Sequence, residues 1–211
     1  MNEYLEDLLK AFSQVDNRYY FAEVFRNLDN YLHNQEAVIQ STENSFSAEM
    51  YRHLRNIMEL EENSEKYKDL ALDFDIRKDW FDENIITNRQ QSFRPDLTLH
   101  RSQVNWEPEN QKLYVEVKTR FNPCIKDDIQ KLANALYRLH FERGVFISVN
   151  SNYNSVVSLI KRTLFNEDNR LSQRGINIDW NRIFLFHSII NIKKQNKIIS
   201  NPISFQQIID L

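Results

Sequence analysis

The chain has 211 residues, 27 basic and 30 acidic, and a formal net charge of −3. That length suits a single domain with a sizeable core and an added element; the lack of a global basic field counts against a protein that coats nucleic acid, though a local basic patch remains compatible. With only two glycines, Gly144 and Gly175, the chain cannot build a phosphate-cradling loop or a dinucleotide fingerprint.

In chain order, Tyr4, Leu5, Leu8, Leu9 and Phe12 recur at helical spacing, as do Phe21, Val24, Phe25, Leu28, Tyr31 and Leu32. They predict two amphipathic helices in an N-terminal extension over 1–44, packed on a core domain over 45–211. The core opens on a helix around 47–54. Residues 70–76 alternate well enough for a first strand, while Trp80-Phe81 and Ile85-Ile86 fit short helical or strand pieces. Strand-like segments follow at 93–99 and 112–118, joined by the turn-like stretch 106–110. Asn122 and Pro123 read as an N-cap and first helical residue. Asp127 and Asp128 fall in the early turns, Ile125, Ile129, Leu132, Leu136 and Leu139 form the apolar stripe, and Gly144 closes the helix. A short buried strand at 145–149, a helix over 153–165 and a late strand or hairpin across 183–190 complete the pattern.

The chemistry concentrates in three residues. Period two in 112–118 puts Glu116 and Lys118 on one strand face and Val115 and Val117 on the other. If 93–99 pairs alongside, Asp96 reaches the same face. Two carboxylates about 4 Å apart repel by ~1 kcal/mol in water and ~4 kcal/mol at an effective dielectric of 20. Such a pair takes a proton or a cation, and the lysine beside it suits a phosphate or an attacking water. Pro95-Asp96 is the only Pro-Asp in the chain, and Glu116-Val117-Lys118 the only acid followed two places later by lysine. In a chain with 27% charged residues such a pattern can also arise by chance.

These residues and their setting resemble the PD-(D/E)xK nuclease superfamily over about residues 45–150, roughly half the chain. The resemblance implies an α/β (α+β) restriction-endonuclease-like core: a central mixed sheet flanked by helices in the order αβββαβ. It implies a metal-dependent DNA nuclease, with Asp96, Glu116 and the Val117 carbonyl holding Mg²⁺ or Mn²⁺ and Lys118 assisting the nucleophilic water. A further glutamate is expected from the first core helix. Glu49 is the best match, Glu59, Glu61 and Glu62 are rivals, and an ordinary first-turn acid is the bland account. Gln130 and Lys131 read as a solvated helix face, and Asp73 and Asp75 as a solvated strand face. RNA is the weaker substrate reading, and a catalytically inactive nuclease-fold module that binds nucleic acid or protein is the alternative. A homodimer would supply the two sites that cutting both strands of a duplex needs.

Arg52, Arg55, Arg94, Arg120, Lys126 and Lys131 lie near these residues in sequence and offer a candidate basic patch. The five histidines, His33, His53, His100, His140 and His187, show no zinc-ligand spacing. No stretch is apolar enough to span a membrane, no signal-peptide pattern opens the chain, and the single Cys124 suits a reducing compartment, so a cytoplasmic protein is expected.

Overall fold

Seven strands form one mixed sheet with helices packed on both faces in the computed structural model, which describes residues 2–20, 35–74, 95–101, 110–119, 125–191 and 196–211. Helix α1 (Glu3–Gln14) and α2 (Gln35–Met58) precede β1 (Leu70–Phe74), β2 (Leu97–Arg101) and β3 (Gln111–Lys118). Then come α3 (Ile125–Tyr137), β4 (Arg143–Val149), α4 (Tyr153–Ser172), β5 (Ile183–Asn191), β6 (Asn196–Ile199), β7 (Ile203–Ser204) and α5 (Phe205–Asp210). The spatial order is β1-β2-β3-β4-β5-β6, with β7 also on β5. The β1–β2 and β2–β3 pairs are antiparallel, β3–β4 and β4–β5 parallel, and β6 and β7 run antiparallel to β5.

The alternation of β3 splits the interior in two. Leu113, Val115 and Val117 face a core built with Leu5, Leu8 and Phe12 of α1 and Phe46, Met50 and Leu54 of α2. Tyr114 faces the opposite core, with Ile129, Leu132 and Leu136 of α3, Ile160 and Leu164 of α4, and Phe205. Asn2 caps α1 by accepting from the Leu5 N–H at 3.0 Å, so this helix begins where its first unpaired N–H groups find an acceptor. It then packs against α2 through the Phe12 and Phe46 rings, whose centroids are 6.1 Å apart.

Several boundaries differ from the sequence-based expectations. Helix α2 begins well before residue 47 and runs continuously across residues 44 and 45. Helix α3 stops at Tyr137, short of Gly144, which lies inside β4. The left-handed turn between them is taken by His140, at φ 58°. Gly144 serves close packing instead: a Cβ there would stand 3.1 Å from Leu132 Cδ2 and 3.2 Å from Leu136 Cδ1. Helix α4 continues past 165 to Ser172 because Leu171 extends its buried face. The second N-terminal helix at 21–32, Asp75, the pieces at Trp80-Phe81 and Ile85-Ile86, Arg94, Trp106, the connection at 106–109, Arg120, and the cap at Asn122, Pro123 and Cys124 lie outside the described residues, as does His33.

Phe46 ties three elements together: its ring meets Phe12, and Tyr20 edge-on at a centroid distance of 5.2 Å. Phe46→Ala is expected to lower stability by about 3–5 kcal/mol, read as the shift in a urea unfolding curve with an unchanged slope.

Candidate active site

The strand end that carries Glu116, Val117 and Lys118 is fastened to the start of β2 by Asp96. The Asp96 N–H donates to the Val115 carbonyl at 3.1 Å, and its Oδ2 accepts from the Val117 N–H at 2.6 Å. Backbone and side chain thus grip β3 on either side of Glu116. Within a strand, the N–H and C=O of one residue point the same way, so the Val117 carbonyl also faces the Asp96 side.

Glu116 is directed into the α3 side of the sheet and is 1% exposed. The Tyr114 hydroxyl donates to its Oε1 and the Lys131 ammonium to its Oε2, each at 3.0 Å. Lys118 lies between two helices: its Nζ is 3.4 Å from Glu43 Oε2 of α2 and 3.7 Å from Asp128 Oδ1 of α3. Lys131 is also 3.6 Å from Asp128 Oδ1. Four elements therefore deliver four carboxylates and two ammonium groups to one place, a formal excess of two negative charges.

Burial sets the titration of the cluster. Asp96 is pushed up by desolvation, against the pull of the Val117 N–H, Lys118 and Lys131. Glu116 is pushed well up, first by burial and then by the charge of Asp96. Asp128 and Glu43 are raised, chiefly by burial. Burial alone would lower both lysines, but Asp128 and Glu43 outweigh it at Lys118, and Glu116 and Asp128 at Lys131, so both are raised and stay cationic at neutral pH. Asp128 Oδ2 is buried and has no hydrogen-bond donor among the described residues. A carboxylate oxygen left so costs about 1–3 kcal/mol and favours a proton or a cation.

Glu49 does not join this cluster. It bonds Arg52 at 2.6 and 2.9 Å and lies 3.2 Å from His53 on its own helix, and the Arg52 hydrogen bonds hold its carboxyl below the usual range. Glu43 takes the helix position instead, six residues earlier, about 9 Å along the axis and a third of a turn round. Its signal was an acid in register with the buried stripe Phe46, Met50, Leu54. Asp128 carried the same kind of signal, three residues after Ile125 and four before Leu132 on the buried face of α3. Lys131 is bonded into the cluster, not a solvated residue, while Gln130 donates to Glu167 at 2.9 Å. Glu59 pairs with Arg55, and Asp73 with His100, away from the cluster.

Among the described residues no three acid, histidine or cysteine side chains are arranged to hold a metal ion; Lys118 and Lys131 stand between the acids. The donor chemistry does fit a hard divalent cation: carboxylates of Asp96 and Glu116, the Val117 carbonyl, an Asp128 oxygen without a donor among the described residues, and a net negative charge. The fold class is mixed α/β, a seven-stranded mixed sheet flanked by helices. The chain matches no protein-family model, no curated protein and no solved structure. Among the described residues no helix is long and apolar enough to cross a membrane.

Raised carboxylate pKa values have a definite sign in stability. The contribution is fully present below the unfolded values of 4.5 for Glu116 and 3.8 for Asp128, and is lost as pH rises through the folded values. Glu116→Gln removes the largest such loss. In chelator, the stability of this variant relative to the parent should therefore improve between pH 4.5 and pH 7, as read from urea midpoints at the two pH values. A difference that stays constant or worsens would show that burying the Glu116 charge carries no such cost.

Proposed function

We propose that this protein is a divalent-metal-dependent nuclease of the PD-(D/E)xK kind, with a restriction-endonuclease-like core, that hydrolyses phosphodiester bonds in DNA. The observation that carries this reading is the meeting of Asp96 and Glu116 beside Lys118, with Asp96 bonded to the Val117 N–H. The order α2-β1-β2-β3-α3-β4, three antiparallel strands and then a parallel one, supports it. So does the placement of the motif: its first acid stands before β2 and its acid-any-lysine triplet ends β3. Glu43 supplies the helix acid that Glu49 was expected to supply.

Mg²⁺ or Mn²⁺ would be held by Asp96, Glu116 and the Val117 carbonyl, and when bound would polarise the scissile phosphate and acidify the attacking water. The chain's own groups do the rest. Lys118 stays protonated, so it acts as a hydrogen-bond donor and positive charge and not as the base. It orients the water and offsets the charge that builds on the phosphoryl oxygens. Glu43 and Asp128 hold its ammonium in place. Tyr114 fixes the rotamer of Glu116 through its hydroxyl.

The ion pair between Glu116 and Lys131 favours a second reading, a nuclease-fold module that binds nucleic acid or a protein without cutting. Metal titration separates the two, since such a module should bind no Mg²⁺ or Mn²⁺ at Asp96 and Glu116.

Asp96→Ala, Glu116→Ala and Lys118→Ala should each abolish Mg²⁺-dependent cleavage while leaving the circular dichroism spectrum native. Glu43→Gln should slow it by roughly 10- to 100-fold, and Glu49→Gln should cut like the parent. The assay uses single-stranded DNA, double-stranded DNA and matched RNA in Mg²⁺, Mn²⁺ or chelator. Cleavage at the parental rate by any of the three alanine variants would refute the assignment.

A further inference from the structure

We propose that Lys131 is a resident counter-ion of the acid cluster, which a divalent cation must displace from Glu116 in order to bind. The inference rests on the metal-site reading above and adds a residue that the acid-acid-lysine motif does not contain. Glu116 is buried, and its oxygens are divided between the Tyr114 hydroxyl and the Lys131 ammonium. A cation approaching Glu116 therefore meets a positive charge 3.0 Å from Oε2. The same ammonium is 3.6 Å from Asp128 Oδ1, so it bridges two acids that would otherwise repel across a low-dielectric space.

The geometry also provides an exit. The Lys131 side chain is 29% exposed, whereas Lys118 is 16% exposed and gripped by two acids from different helices. On α3, Asp127 is exposed and four residues before Lys131, one turn back on the helix surface. The released ammonium can pair there in water. Lys118, held by Glu43 and Asp128, stays at the strand end. The two lysines thus divide the work: Lys131 holds the acids in place while no cation is bound, and Lys118 remains for the phosphate.

The test is Mn²⁺ binding to the full chain by calorimetry, with thermal unfolding in chelator and in Mn²⁺ as a second readout; neither requires catalysis. Lys131→Met and Lys131→Gln should bind Mn²⁺ roughly tenfold or more tightly than the parent. They should unfold at lower temperature than the parent in chelator and regain that loss in Mn²⁺. Glu116→Gln run alongside should abolish binding, which locates the ion. Equal or weaker binding by both Lys131 variants, with binding by the parent intact, would overturn the counter-ion role and leave the metal site standing. Failure of the parent and of both Lys131 variants to bind Mn²⁺ would overturn the metal site and this inference with it.

Discussion

The grip of Asp96 on β3 is the constraint from which the rest of the cluster follows. A carboxylate that accepts a strand N–H at 2.6 Å cannot swing away to solvent, so its charge is fixed within reach of Glu116. Glu116 has no escape either, because its strand alternation points it into a core that contains Phe146, Leu132 and Ile129. Two acids held this way in a dry place demand compensation. The protein supplies it from both faces of the sheet: Lys118 reaches towards Glu43 on one helix and Asp128 on another, and Lys131 comes down from α3. The alternation of acid and base is the outcome of this demand. It leaves one oxygen without a donor among the described residues and a formal excess of two negative charges, an arrangement better suited to holding a ligand than to maximal stability.

How far this was legible from the amino-acid order depended on the range of each interaction. The alternation of β3 is local, so the opposite placement of Glu116 and Val117 could be read directly. Pro95-Asp96 stood out as the chain's one Pro-Asp pair, but the bond of its carboxylate to the Val117 N–H joins residues 21 positions apart and could not be read from local order. The helix residues were harder. An acid in the first turns of a helix satisfies the dipole whether it faces water or the interior, so Asp128 looked ordinary. Lys131 looked solvated because a long side chain can begin at the rim of a helix and still deliver its charge inside. Glu49 attracted attention by its place in a short helical window, but α2 is longer than that window and its buried stripe passes through Glu43. Gly144 illustrates the same limit: glycine reads as punctuation, yet here it makes room for Leu132 and Leu136 while His140 takes the turn.

The two interior clusters meet at the site through a single strand. Val117 belongs to the core built on α1 and α2, and its neighbour Glu116 looks into the core built on α3 and α4. Lys118, at the end of the same strand, touches α2 and α3 together. The cluster is therefore not a surface feature added to a finished scaffold; it forms only when both helical layers are seated. That explains how a chain with little net charge assembles so dense a set of ionisable groups: each is positioned by apolar packing one to three residues away.

The strict alternation of β3 has a consequence for how this chain can change over time. Losing or gaining one residue between Leu113 and Lys118 would reverse every side chain beyond it, driving aliphatic groups into the charged chamber and the acid into the aliphatic layer. Substitutions there can be graded, but a change in length has no mild form. The spacing of this strand should be among the most rigidly inherited properties of any lineage that carries it.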